Sequence, residues 1–195
     1  NLEILVAHEA AHQGWGNILM PGEGPGGNIL SEGMSHYSTL LLMGAAQGEQ
    51  ERIEFCKRME DRYNDSRQVD SERELVKIDG TRSGDTTVQY DKGGWVFWMQ
   101  SNLMGREAAL AGRQSFIAHD DQDRDHAVLQ DYVRHMRDYA PDVAAYYEFT
   151  QQWYFAVVLP EYEIESATLE AANGGWQVRA REKNTGTGRM SVEVA

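Results

Sequence analysis

The stretch His8-Glu9-Ala10-Ala11-His12, followed by Leu30-Ser31-Glu32-Gly33, decides how this chain is read. On a helix, residues four apart stack along one face, so His8 and His12 present two imidazoles one turn apart. Both can ligate one zinc ion, and Glu9 then faces a water on that ion. A further acidic residue opening a second helix supplies a third protein ligand and leaves a fourth position free. A free fourth position separates a catalytic zinc site from a structural one. Glu32 fits that role, and the spacing predicts one zinc per chain, held by His8, His12 and Glu32.

The eleven-residue pattern HExxHxxGxxH is excluded as the ligand source: it needs Gly at 15 and His at 18, where Trp15 and Ile18 stand. Glu23, in the glycine- and proline-rich loop, is a rival third ligand. Glu9 is the candidate general base, taking a proton as water attacks a carbonyl and passing it to the leaving amine. A developing oxyanion needs a second electrophile, for which Tyr90 in Tyr90-Asp91-Lys92-Gly93 is the candidate. Packing of that ring against a helix start is the alternative. His36 and Ser35 stand one turn beyond Glu32 and could reach the site, but ordinary helix packing is the reading preferred for both. His119, His126 and His135 lie among Asp and Arg residues and read as surface histidines. The acidic run 119–125 lacks the glycine and terminal Glu of a calcium loop and reads as solvated.

Outward from the motif, the chain has 195 residues, 41% of them hydrophobic, enough for a packed core. A formal charge of −13 argues against a nucleic-acid partner, which would need a basic face. The single cysteine, Cys56, excludes an internal disulfide and a cysteine-based zinc cluster, and reads as a small buried hydrophobe. No apolar run reaches the ~18 residues of a membrane span. The apolar stretches Leu40–Met43 and Phe155–Leu159 are short enough for helix cores. Asn1 stands just ahead of the first helix as its cap, so the sequence reads as a fragment of a longer chain.

The pattern is mainly α-helical. Helices are expected over Leu2–Gln13 with Leu5 and Ala11 buried, Glu32–Gln47 capped by Ser31, and Gln50–Asp65 burying Ile53, Cys56 and Met59. Residues 66–88 are polar and read as an irregular surface crossing. Tyr90–Met104 reads as an apolar helix whose stripe is Trp95, Trp98, Met99 and Leu103, ended by Gly105. Arg106–His119, Asp125–Asp138 and Pro141–Tyr154 follow, with Pro141 as the first helical residue. After Pro160 the texture alternates: Tyr162–Ala171, Trp176–Glu182 and Met190–Val194 predict a three-stranded antiparallel tail, as at the opening of a β-sandwich.

Three segments carry a family resemblance. His8-Glu9-Ala10-Ala11-His12-Gln13-Gly14-Trp15-Gly16-Asn17 resembles HExxHQWxGN, Leu30-Ser31-Glu32-Gly33-Met34-Ser35-His36-Tyr37 resembles L-x-E-G-x-x-x-Y, and Tyr90-Asp91-Lys92-Gly93 resembles Y-x-K-G. Together, in this order, they resemble the aminopeptidase N family of gluzincin metallopeptidases. The resemblance implies a helical C-terminal lobe of a thermolysin-like catalytic domain over residues 1–160, with a short antiparallel β tail over 161–195. It also implies zinc-dependent hydrolysis of peptide substrates, with His8, His12 and Glu32 as ligands, Glu9 as base and Tyr90 as transition-state donor. Relatives of this kind occur alone or fused to permeases, so a longer parent could be joined to a membrane protein. Nineteen residues separate His12 from Glu32 where the family has about eighteen, and Gly14 replaces a tryptophan. The family's G-x-M-E-N segment, which grips a free amine, is not in this sequence. A zinc endopeptidase of the same superfamily, or a zinc-binding interaction module that does not cleave, are the rival readings.

Overall fold

The computed structural model describes residues 2–67, 72–120, 126–172 and 174–190. It is mainly helical with a two-stranded antiparallel sheet, and divides into units Asn1–Ala156 and Val157–Ala195. No helix among the described residues is long and apolar enough to cross a membrane.

The first unit begins with α1 (Leu2–Ala11), which buries only Ala7 and His8. Leu5 is exposed, contrary to the sequence expectation, because the stripe facing α2 runs through Ile4, Ala7 and His8 and leaves Leu2, Leu5 and Val6 on the other side. Asn1, the expected cap, lies outside the described residues. The chain then turns through residues 12–19, where Trp15 and Leu19 form a bridge and the Trp15 indole donates to Ser38 Oγ at 3.0 Å.

The second helix starts earlier than Ser31 predicts. A π-helical turn, Ile29–Gly33, runs directly into α2 (Met34–Gln47). Ser31 therefore lies inside the helix and caps nothing; its hydroxyl turns back to Trp15 O, 3.4 Å away. After Gly48, α3 (Glu49–Ser66) buries Phe55, Cys56 and Met59, which pack with Leu40 and against Ile4, Trp95 and Trp98. Full burial of side chains such as Phe55 and Leu40 contributes about 1.5–3 kcal/mol each.

The polar stretch after α3 is more than a surface crossing. Leu75, Val76 and Ile78 are buried, and the Glu72 side chain is fully enclosed between Arg67 and Lys92 at 2.7 and 2.6 Å. A short helix, α4 (Asp85–Thr87), then leads through a second π-helical turn, Val88–Lys92, into α5 (Gly93–Met104). The buried face of α5 is Val96, Phe97, Gln100, Ser101 and Met104. It is not the predicted stripe of Trp95, Trp98, Met99 and Leu103, which lies at the rim, with Leu103 exposed.

The polar members of that face meet α6 (Arg106–Asp120). Arg113 is buried and donates to Tyr132 OH at 3.1 Å, Tyr37 OH at 3.1 Å and Gln100 Oε1 at 3.3 Å. The guanidinium also lies 4.4 Å from the Tyr37 ring centre. Then come α7 (Leu129–Met136) and α8 (Val143–Trp153). The Asp142 carboxylate accepts from Ala145 N at 2.9 Å and caps α8, which puts Pro141 ahead of the cap and not at the first helical position. Phe155–Leu159, read as a helix core, lies beyond the end of α8.

In the second unit β1 (Tyr162–Ala172) pairs with β2 (Gly175–Asn184), with an irregularity between Ile164 and Ser166. The cross-strand pairs Ala167–Ala180, Leu169–Val178 and Ala171–Trp176 give the hairpin one apolar face, while Thr168–Arg179 and Glu170–Gln177 lie on the other. The predicted third strand is not seen at Met190, whose backbone instead bonds the Tyr162 hydroxyl; residues 191–194 lie outside the described residues.

Candidate metal centre

The two π-helical turns are what build the site. A π turn puts one extra residue into a helical turn and re-aims its side chains, and such turns are frequent at functional sites. Glu32 sits in the first, just ahead of Gly33, and Tyr90 in the second, three residues before Gly93. The turns cross at Gly33 and Gly93, whose Cα atoms touch closely. A Cβ on Gly33 would lie 3.3 Å from Gly93 Cα and 3.1 Å from Gln89 O. Only glycine gives this approach without displacing backbone, so the crossing brings the Glu32 and Tyr90 turns together.

α3 holds the second turn from behind. Arg62 bonds Asp91, and Lys92 donates to Glu72, which also accepts from the Tyr63 hydroxyl at 2.8 Å. With its two following neighbours pinned, Tyr90 is turned to the opposite side, toward α1. Its ring stacks on His8 at 5.6 Å and meets His36 edge-on at 5.2 Å, and its hydroxyl hydrogen-bonds the Glu32 carboxylate. Burial, then that bond and the charges of Glu32 and Glu9, push the phenol well above its usual range and keep it protonated as a donor.

His8, His12 and Glu32 come together as a triad of donor atoms all within 4.8 Å of one another. Nε2 of His8 lies 3.1 Å from Glu32 Oε2, Nε2 of His12 lies 3.2 Å from it, and the two Nε2 atoms are 3.0 Å apart. A tetrahedral ion with bonds of roughly 2.0–2.2 Å separates its donor atoms by about 3.3–3.6 Å, so the triad fits zinc after opening by a few tenths of an ångström. His12 is oriented for it: Nδ1 donates to Trp15 O at 2.9 Å, which leaves the lone pair on Nε2. Burial raises the Glu32 carboxyl, but hydrogen bonds from His8 and Tyr90 and the electrostatic pull of the His12 and His8 rings outweigh it and hold the group below the usual carboxylate range.

Glu9 is exposed on the turn of α1 beside His8, and Glu23 is exposed in its loop and takes no part in the triad. Ser35 and His36, preferred as packing residues from sequence, both reach the site. Ser35 Oγ lies 3.1 Å from His12 Nδ1, and His36 Nδ1 lies 3.0 Å from His8 Nδ1. Burial, with the neighbouring His8 ring and the charge of Arg62, pushes His36 down to about 3, so the ring is neutral. The signal for His36 was its place four residues after Glu32. Arg62 and Asp91, beyond His36, carried no signal, because their roles depend on how α3 packs on the second π turn. Of the other histidines, His119 and His126 are exposed, while His135 is half-buried, 5.3 Å from the Phe116 ring and 5.4 Å from Tyr139. Most of the acidic run 119–125 lies outside the described residues.

Neither a scan of protein-family models nor a search of curated proteins finds a match to this chain.

Proposed function

We propose that this chain is a zinc-dependent peptidase of the aminopeptidase N type, and that its helices form the C-terminal lobe of a thermolysin-like catalytic domain. The observation that carries the reading is the convergence of His8 Nε2, His12 Nε2 and Glu32 Oε2 at about 3 Å, with the Tyr90 hydroxyl on the same carboxylate. A site for binding alone has no use for a protonated phenol aimed at the ligand cluster, or for a carboxylate on the residue after the first histidine.

His8, His12 and Glu32 would hold one zinc ion per chain. Zinc bound there supplies Lewis acidity, polarising a carbonyl oxygen and lowering the pKa of water from ~16 to ~7. Glu9 takes the proton of the attacking water and returns it to the leaving amine of a peptide substrate. Tyr90, kept protonated by its surroundings, donates a hydrogen bond to the oxyanion that develops at the attacked carbonyl.

The test is Glu9→Gln. The variant is expected to take up zinc one to one and to lose hydrolysis of peptides and aminoacyl reporters, because an amide cannot accept the water's proton. Elemental analysis showing no zinc after reconstitution of the parent protein sinks the metal reading. Undiminished turnover by the fully loaded variant removes Glu9 as the base.

A further inference from the structure

His36 lies between the triad and a charged pair on α3 and the second π turn. Its Nδ1 is 3.0 Å from His8 Nδ1, and its Nε2 is 3.0 Å from Arg62 Nη2 and 3.7 Å from Asp91 Oδ1. Arg62 bonds Asp91 as well. A guanidinium carries only N–H donors, so His36 Nε2 must offer Arg62 its lone pair. A ring that accepts at Nε2 carries its proton on Nδ1, and that proton faces His8 Nδ1, which must accept it. His8 then carries its own proton on Nε2, where Glu32 Oε2 receives it at 3.1 Å.

Each contact in the series Arg62 to His36 to His8 to Glu32 is thus donor to acceptor. This direction puts a proton on the very atom, His8 Nε2, that faces the triad. His12 differs, since the Trp15 carbonyl takes its Nδ1 proton and leaves Nε2 bare. One imidazole of the pair is set for a metal, and the other is set against it by a contact two residues away from the triad.

We propose that Arg62, His36 and Asp91 are positioning residues that set the tautomer of His8, with Arg62 opposing metal coordination and Asp91 supporting it. This rests on the zinc reading above. Coordination through His8 Nε2 requires the opposite direction: His8 Nδ1–H donates to His36 Nδ1, and His36 Nε2–H donates to Asp91. The protons balance. His8 releases its Nε2 proton to water and takes the Nδ1 proton of His36, and His36 takes one from water at Nε2. Both rings stay neutral and no net proton is lost. The Arg62 side chain is 53% exposed and can swing into solvent, whereas Asp91 is buried beside His36. The gap of 3.7 Å then needs to close by less than about 1 Å to make a hydrogen bond. A carboxylate behind the distal nitrogen of a metal-bound histidine is the usual way to fix its tautomer, and here a second histidine stands between them.

Long-range proton–nitrogen spectra of the imidazoles, recorded on chelator-stripped protein and again after adding zinc, test this, with zinc content measured on the same samples. His36 is expected as the Nδ1–H tautomer without zinc and as Nε2–H with it. Arg62→Gln, whose amide can accept as well as donate, is expected to show Nε2–H in both samples. It should bind zinc at least about threefold more tightly, by a factor that persists at 0.5 M salt, where loss of a charge alone is largely screened. Zinc uptake with His36 unchanged overturns this inference and leaves the metal reading standing. No zinc uptake overturns both. Arg62→Gln with unaltered His36 tautomer and affinity removes Arg62 from the role.

Discussion

Gly94→Ala is the sharpest test of how the helix crossing serves the site. A Cβ on Gly94 would sit 2.8 Å from His36 Cβ, with Met59 Sδ and Tyr37 N at 3.5 Å. Carbon atoms pack at roughly 3.5–4.0 Å, so the two helices must separate locally by at least about 0.7 Å. His36 Cβ is the root of its side chain, so no rotamer change relieves the contact. If α2 takes half of the shift, the 3.0 Å bond between His36 and His8 lengthens to about 3.4 Å, the edge of hydrogen bonding. Overpacking costs about 1–3 kcal/mol, and the gain in helix propensity of Ala over Gly offsets about 1 of it. The net loss of about 0–2 kcal/mol lowers Tm by roughly 0–8 °C for a domain of this size. Loss of an outer partner to a metal-binding histidine lowers affinity by about 10–100-fold. Thermal melts with a chelator-competition titration of zinc measure both. A variant more stable than its parent refutes the clash. Zinc affinity within about twofold of the parent refutes the coupling of this crossing to His8.

Other outcomes are expected elsewhere. Tyr90→Phe should keep zinc and lower kcat by roughly 10²–10³ with little change in KM, since the phenol acts in the transition state; steady-state kinetics on loaded protein checks it. Arg113→Ala strips donors from Tyr37, Tyr132 and Gln100 and opens a cavity, for a loss of about 3–4 kcal/mol and a Tm lower by roughly 6–16 °C by circular dichroism. Cys56 is buried and its thiol is pushed up to about 11, so the thiolate forms only as pH rises toward that value. Against an ordinary thiol its thiolate fraction at pH 8 is lower by roughly two orders of magnitude, so iodoacetamide should leave it unmodified there until denaturant is added.

What could be read from the sequence was what depends on local spacing. His8 and His12 are four apart, and His12 stands one residue past the end of α1 with its N–H still bonding back to His8 O at 3.3 Å, so their convergence follows from helical geometry alone, and Glu32 follows from its place near a helix start. The apolar face of α5 could not be read this way. Periodicity weights Trp95, Trp98 and Leu103, yet the buried side includes Gln100 and Ser101, made soluble in the core by Arg113 and the hydroxyl of Tyr37. Trp98 instead lies at the rim beneath the Arg52 guanidinium, 4.4 Å away. Polar residues satisfied by one another are invisible to a hydrophobicity count.

The same limit hid the support of the candidate metal centre, and there it has a chemical consequence. A sequence motif points only to groups that could face an ion, and here it stops at His8, His12, Glu32 and Tyr90. What decides which nitrogen of His8 carries a proton is its partner His36, and behind that the choice between Arg62 and Asp91. Both of these residues reach His36 only because α3 packs on the second π turn, with Lys92 anchored to Glu72 from the same side. Lys92 and Asp91 therefore both work on the α3 side of that turn, Lys92 by fixing it and Asp91 by facing His36. In the tripeptide Tyr90-Asp91-Lys92 the three side chains diverge to three different partners, and the π turn is the backbone feature that lets them do so. Spacing identifies the ligands of such a site, whereas its poise toward a metal is a property of the packing behind them.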